Sequence, residues 1–117
     1  MTTEIYNIVK ARITTNNLEA FKSQAKRMTE ASKGEPGTLV YDFFLNEEAR
    51  EVLIVEKYAD GQSFMKHMRK FTQPEFIPKI LEMQEIISIE MPGKLTNEIE
   101  ELFSLGGWPY NSYPAKV

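Results

Sequence analysis

The apolar residues of this chain change period in a set order: strand, helix, strand, strand, helix, strand. Alternation with period two is typical of strands, and recurrence every three to four residues is typical of helices. Few folds accept that order in a chain of 117 residues. The segments cover residues 5–13, 17–33, 38–45, 51–58, 61–83 and 85–91. Within 61–83, Thr72-Gln73-Pro74 interrupts the helix, and a further helical stretch is predicted over residues 76–83.

Capping residues predict where the helices begin and end. Asn16 is expected to cap the first helix, with Glu19 as its capping-box partner, and Gly34 to end it. Asp60 is expected to cap the second helix, and Thr96 to cap a short last helix that ends at two glycines. These signals place every helix between two predicted strands or after the last one.

The element order predicts an α+β fold, the ferredoxin-like β-α-β-β-α-β sandwich. In that fold four antiparallel strands carry both helices on one face. The length fits one domain over residues 1–117, with a core over 5–91 and a C-terminal extension over 93–117. A short helix and a tail are expected in the extension.

Two helices leave one face of such a sheet uncovered. The first strand carries apolar residues on both faces, since Tyr6 and Ile8 alternate with the core positions. A second copy of the chain is the simplest cover, so the sequence predicts a homodimer. The aromatic residues of the tail, Trp108, Tyr110 and Tyr113, are expected to pack on their own domain or on the partner subunit.

Composition argues against several classes of function. The chain has no cysteine and one histidine, which predicts no metal site, and it lacks a glycine-rich phosphate motif, so we expect no flavin or other cofactor. Its net charge is −3 and its basic residues are interleaved with Glu, which argues against nucleic acid. No apolar run is long enough for a membrane span, and the N-terminus lacks a signal-peptide pattern, so a cytoplasmic location is expected.

His67 is the first candidate catalytic residue. It lies within the helical stripe Phe64, Met68 and Phe71, which should point at the sheet. Imidazole titrates near neutrality, which suits proton transfer. The alternative is a hydrogen-bonded core histidine without a catalytic role.

Five further side chains are candidates, because they share an apolar strand face or helical stripe or because they carry a phenol. Glu56 alternates with apolar residues, so it is either a base, a group that orients His67, or half of a structural ion pair. Tyr41 and Tyr58 are candidates to bind a substrate oxygen, although ordinary backbone partners are the alternative. Asn7, and Phe64 of the stripe, complete the predicted substrate-binding set.

Three segments resemble the antibiotic biosynthesis monooxygenase family of dimeric α+β barrels. Residues 35–42, EPGTLVYD, are similar to the family's segment at the start of strand two, and 52–60, VLIVEKYAD, to its strand three. Residues 64–67, FMKH, are similar to its second helix. The resemblance spans residues 5–91. It implies a cofactor-free monooxygenase or quinol-type oxidase that uses O₂ and a small aromatic, phenolic substrate in a pocket between helices and sheet.

Two other functions remain open at this point. One is a non-catalytic dimer that binds a small molecule in the same pocket. The other is haem binding or degradation, for which relatives of this fold use an Asn in the first strand, a Trp and a His. Asn7 fits that pattern, but His67 falls about where those relatives carry Trp, and residues 76–83 hold no His. The sequence therefore argues against haem degradation.

Overall fold

The computed structural model describes residues 3–117, which form a sheet of five strands with four helices. The strands are arranged in the order β2-β3-β1-β4-β5; the first four pair antiparallel, and β5 pairs parallel with β4. The predicted ferredoxin-like α+β fold is confirmed, and β5 is an addition to it. The elements are β1 Ile5–Ile13, α1 Leu18–Ser32, β2 Thr38–Asn46, β3 Glu51–Tyr58, α2 Gly61–Phe71, α3 Ile77–Ile80, β4 Gln84–Pro92, α4 Asn97–Gly106 and β5 Asn111–Tyr113.

The N-cap of α1 lies one residue after its predicted position. Asn17, not Asn16, is the N-cap, and its side-chain oxygen accepts a hydrogen bond of 3.0 Å from the amide of Ala20. The helix ends at Ser32 with Lys33 as its C-cap, and Gly34 lies directly after the cap, as predicted for the residue that ends the helix. Adjacent asparagines offer the same capping chemistry, and the sequence alone did not separate them.

The other two predicted caps are confirmed. The side chain of Asp60 accepts from the amide of Ser63 at the start of α2, and that of Thr96 accepts from the amide of Ile99 at the start of α4. The predicted helical stretch over 76–83 is only the single turn α3. Helix α2 is fixed at its first turn by Asp60, two residues after the end of β3.

Helices α1 and α2 pack on the same face of the sheet. Alternate residues of β1, beginning at Ile5, are buried there, as their period of two predicts. Phe21 of α1 and Phe64 of α2 belong to the same apolar core. Burial of these side chains contributes about 1.5–3 kcal/mol each.

Strand β4 contains a bulge that changes which side chains face the core. Lys10 pairs with Ser88 but Ala11 pairs with Ile86, so Ile87 is the extra residue. The alternation along residues 85–91 predicts Ile87, Ile89 and Met91 on one side of the strand. That prediction is wrong for Ile87, which is exposed, whereas Ile89 and Met91 are buried. Because side chains alternate along a strand, one inserted residue turns Gln84 and Ile86 toward the core.

The C-terminal extension packs on its own domain, as predicted for Trp108 and Tyr110. Phe103 of α4 is buried in the core, and the rings of Trp108 and Tyr110 lie 5.9 and 5.1 Å from its ring. Tyr113 remains half exposed, although its strand pairs with β4. The extension therefore widens the sheet and adds a wall to the core.

The face of the sheet opposite the helices is uncovered; we refer to it as the open face. Phe44 and Leu53, which are paired across β2 and β3, are 57% and 41% exposed there. Tyr6 and Ile8 are partly exposed on the same face. Helices long and apolar enough to cross a bilayer do not occur within residues 3–117.

Candidate functional site

A cavity of about 60 Å³ lies between the helices and the sheet; we refer to it as the central cavity. It is the space enclosed by the core face of β1–β4, by α1–α4 and by the tail. Its walls are largely apolar, with a few polar side chains among them. The lining residues used below are Asn7, Tyr41, Glu56, His67, Met68, Ile80, Gln84 and Trp108.

Three polar side chains cross one end of the central cavity in a row. Asn7 on β1 is paired with Glu56 on β3, and Glu56 is paired with Tyr41 on β2. Directly opposite residues on antiparallel strands have neighbouring side chains on the same face. Strand register therefore brings together three residues that lie far apart in sequence.

Glu56 is a buried carboxyl without a cationic partner in the described chain. The hydroxyl of Tyr58 donates to its Oε1 at 2.5 Å, and the amide of Asn7 also hydrogen-bonds to it. Burial raises the pKa of Glu56 to about 7, while those two hydrogen bonds oppose the shift. Among residues 3–117 it joins no ion pair, so the predicted structural ion pair within the chain is not found.

His67 is held by Glu35, which lies in the turn between α1 and β2. The Nδ1 atom of His67 lies 2.7 Å from Oε1 of Glu35, and the same oxygen accepts a hydrogen bond from Thr38. The other carboxylate oxygen, Oε2, lies 3.3 Å from Nζ of Lys70. Burial would raise the pKa of Glu35, but the hydrogen bonds from His67, Thr38 and Lys70 outweigh it and lower that pKa. Glu35 is therefore a carboxylate, and it orients His67 in place of the predicted Glu56.

Glu35 is ionised and His67 is neutral, so one nitrogen of the imidazole keeps a lone pair. Burial lowers the pKa of His67 below its ordinary value, although Glu35 opposes the shift. A neutral ring beside a carboxylate donates its Nδ1–H, and we assign that tautomer from the hydrogen bond. Nε2 is then the acceptor. His67 thus has the arrangement of a general base with a carboxylate that fixes its tautomer.

Aromatic rings hold the imidazole in one orientation. The ring of Phe71 stacks on that of His67 with centroids 3.9 Å apart, and the rings of Tyr41 and Tyr58 lie 5.0 and 5.2 Å away. Such packing leaves little freedom to the side chain of a residue that is 2% exposed. The inward direction predicted for His67 is confirmed.

The structure brings together four of the six predicted site residues. His67, Glu56, Tyr41 and Asn7 all line the central cavity. Tyr58 does not line it, because its hydroxyl turns to Glu56. Phe64 is also outside the lining; its ring packs edge-on against Tyr58, with centroids 5.1 Å apart.

Three residues of the site were missed by the sequence analysis. Glu35 gave no signal, because a glutamate in a turn is ordinarily solvated. Gln84 was placed outside β4, and the bulge that turns it inward has no visible sequence pattern. Trp108 was expected to be buried, but the tail alone did not indicate that it would line this cavity. Residues 3–117 hold no group of three His, Asp or Glu side chains placed to bind a metal ion.

We expect the contribution of Glu56 to the free energy of unfolding to fall between pH 4.5 and 7. The ordinary carboxyl pKa is 4.5 and the buried one is about 7, so in this range only the folded state keeps the proton on Glu56. The contribution of this one group then decreases by about 3 kcal/mol as the pH rises. Glu56→Gln removes this term while keeping an acceptor for Tyr58.

Urea unfolding at several pH values measures the effect as a difference between the two proteins. The variant should match the native protein near pH 4 and exceed its stability at pH 8. Parallel curves for the two proteins across that range would show that Glu56 does not titrate as described.

The fold and the central cavity define a ferredoxin-like α+β domain with an enclosed site between helices and sheet. The model of the family described as antibiotic biosynthesis monooxygenase matches residues 4–85. The chain belongs to that family. A search of curated proteins finds no match.

Solved structures share the fold at low sequence identity. MupZ from Pseudomonas fluorescens is 21% identical with a TM-score of 0.81, over 99% of this chain and 93% of that one. A conserved protein of unknown function from Bacteroides thetaiotaomicron is 23% identical with a TM-score of 0.67, over 78% of this chain and 97% of that one. Rv0793 from Mycobacterium tuberculosis is 14% identical with a TM-score of 0.64, over 80% and 97%. The coverage by MupZ extends the structural likeness to the C-terminal extension.

Proposed function

We propose that the chain is a cofactor-independent monooxygenase that acts on a small phenolic compound. The observation that carries the proposal is that His67, oriented by Glu35, opens onto the same apolar cavity as a buried Glu56 whose pKa is about 7. His67 as a base can take a proton from the substrate, and Glu56 as an acid can return one, because the two groups lie in different environments. Membership of the family supports the same class of reaction.

The first step is removal of the phenolic proton. Nε2 of His67 accepts that proton, and the imidazolium is stabilised by the carboxylate of Glu35. Tyr41 remains a donor toward the phenolate, because burial first and the charges of Glu56 and Glu35 next raise its pKa well above its ordinary value. Apolar walls exclude water from the electron-rich anion.

Oxygen chemistry then depends on the substrate. The phenolate passes one electron to O₂, and the resulting radical and superoxide join through a new C–O bond. Glu56 donates a proton to the peroxide. The carboxylate of Glu56 then takes the ring proton from the attacked carbon, the O–O bond breaks, and the leaving hydroxide takes the proton held by His67 to become water. Phenol and O₂ give quinone and water, so no external reductant is needed.

Oxygen uptake tests the proposal. The native protein is mixed with a panel of phenols, hydroquinones and larger phenolic ring systems, and oxygen consumption is followed together with product mass. A turnover that forms a quinone with one added oxygen atom supports the proposal. Tight binding without any uptake would instead support the non-catalytic binding protein.

We also infer a homodimer in which the open faces of two copies meet. Phe44 and Leu53 are large apolar side chains with substantial exposure on neighbouring strands. Contiguous exposed apolar surface of this kind marks interaction sites. A second copy offers the same surface, and a two-fold axis brings the two surfaces together.

Sedimentation at micromolar concentration should give twice the chain mass of 13.5 kDa. Leu53→Asp should shift the protein to the monomer, because it places a charge at the centre of the apolar contact. Leu105→Asp makes the same chemical change at an exposed residue of α4 and should leave the dimer intact. A monomeric native protein would contradict the inference.

A further inference from the structure

The central cavity is too small to receive an aromatic ring unless part of its wall moves. Its volume is about 60 Å³. An engineered apolar cavity that holds one benzene molecule measures about 150 Å³, and small-molecule sites commonly measure about 300–1,000 Å³. Most of the wall consists of buried core side chains, such as Met68 and Ile80, and closely packed interiors do not yield by that amount. A ring therefore needs a mobile part of the wall.

A second space lies directly outside this cavity, between β4 and the tail; we refer to it as the outer groove. Its volume is about 390 Å³, and its walls are mainly apolar, with Ser88 and Asn111 as polar members. Ile86, Ile89 and Trp108 line both spaces, so these three side chains form the wall between them. The outer groove is large enough for a ring that the central cavity cannot receive.

Trp108 is the least restrained part of that wall. Among the cavity-lining residues of the described chain, it alone lies outside a helix or strand, whereas the other two shared residues are held by the pairing of β4 with β1. Its ring packs on Phe103, and its side chain makes no hydrogen bond within residues 3–117. Gly106 and Gly107 directly precede it, and glycine gives the backbone more conformations than other residues. Displacing the indole therefore costs apolar contacts but no hydrogen bond.

We propose that the outer groove is the entrance to a binding site for an aromatic ring, and that Trp108 is the gate between this entrance and the central cavity. Outward movement of the indole joins the two spaces and adds its own volume to them. The entering ring then lies next to His67. This inference rests on the proposed function for the phenolic nature of the ring, and it adds the route of entry and the residue that controls it.

Fluorescence tests the movement directly, because Trp108 is the single tryptophan of the chain. Phenol is added to the native protein in the absence of oxygen, and the indole is excited at a wavelength that neither phenol nor tyrosine absorbs. The ring is half-buried before binding. We expect phenol to shift its emission to longer wavelength and to increase its quenching by acrylamide, because the displaced ring meets water.

The association rate tests the gate. The probe is 4-nitrophenol, whose own absorbance changes on binding, so that variants without tryptophan can be compared with the native protein. A binding-competent state populated at about 0.1–10% slows association by about tenfold or more. Trp108→Ala leaves the passage open and should raise the association rate by that factor. Trp108→Leu keeps an apolar side chain beside Phe103 and should also bind faster than the native protein, should the alanine variant not fold.

Tyr110→Ala is the matched control. Tyr110 packs on the same Phe103 ring and lines the outer groove, but it does not line the central cavity. The variant therefore loses an aromatic ring from the tail while the wall between the two spaces remains. Its association rate for 4-nitrophenol should stay close to that of the native protein.

Binding of phenol with unchanged emission and quenching of Trp108 would overturn the inference. It would also be overturned by a native association rate in both Trp108 variants, by an equal acceleration in Tyr110→Ala, or by failure of both probes to bind. The expected shift and acceleration without oxygen uptake from any phenol would keep the gated site and reject only the proposed monooxygenase activity. Oxygen uptake with an unmoved Trp108 would do the reverse.

Discussion

Replacing His67 with alanine should lower turnover by about 10²–10⁴, the usual contribution of a general base. The imidazole is the group placed to take the substrate proton, since its Nδ1 is committed to Glu35. Oxygen uptake under saturating substrate measures the loss. Turnover is compared per folded molecule, with the folded fraction taken from circular dichroism.

Two variants separate catalysis from packing. Met68→Ala removes a side chain from the same wall of the central cavity without removing a base, so it should affect stability far more than turnover. Glu35→Gln keeps the shape of the anchor but loses its charge, and we expect it to lower the rate less than His67→Ala does. Full activity in a folded His67→Ala protein would exclude the catalytic role and leave His67 as a core residue.

Phe64→Ala should lower the free energy of unfolding by about 3–5 kcal/mol, the range for a large aromatic residue lost from a core. Phe64 is fully buried, and its ring lies 5.1 Å from that of Tyr58 and 6.0 Å from that of Phe103. The sequence predicted a substrate contact, but the ring lies outside the cavity lining. The effect is therefore expected in stability.

Urea unfolding measures this loss, and Phe64→Leu provides a milder variant should the alanine protein not fold. The KM of Phe64→Leu should stay within about twofold of the KM of the native protein. Leu105→Ala, at an exposed position of α4, should change stability by no more than about 0.5 kcal/mol. A strong rise of KM in folded Phe64→Leu, with stability unchanged, would restore Phe64 to the substrate site.

The sequence predicted the strands and helices of this fold because the spacing of apolar residues in each can be read along the chain. The alternate residues of β1 and the apolar stripe of α2, which the sequence predicted to face the core, are buried in the structure. Asp60 marked the start of α2 because a helix needs an acceptor for its first free amides. His67 was predicted to face inward because it lies within the apolar stripe of α2.

Tertiary structure decided which residues meet. Strand register brought Asn7, Glu56 and Tyr41 into one row, and no local pattern states a register between distant strands. Chain folding also gave His67 its partner, because Glu35 lies 32 residues earlier, in a turn whose side chains are expected to meet solvent.

The bulge of β4 shows most clearly what the sequence by itself left open. Period two predicted Ile87 on one side of the strand with Ile89 and Met91, and one extra residue reversed the parity, exposing Ile87 and turning Gln84 inward. The sequence determined the element types and the inward stripe of α2, since both depend on neighbours along the chain. Only the tertiary structure decided the site, because its distances join side chains from different strands and helices.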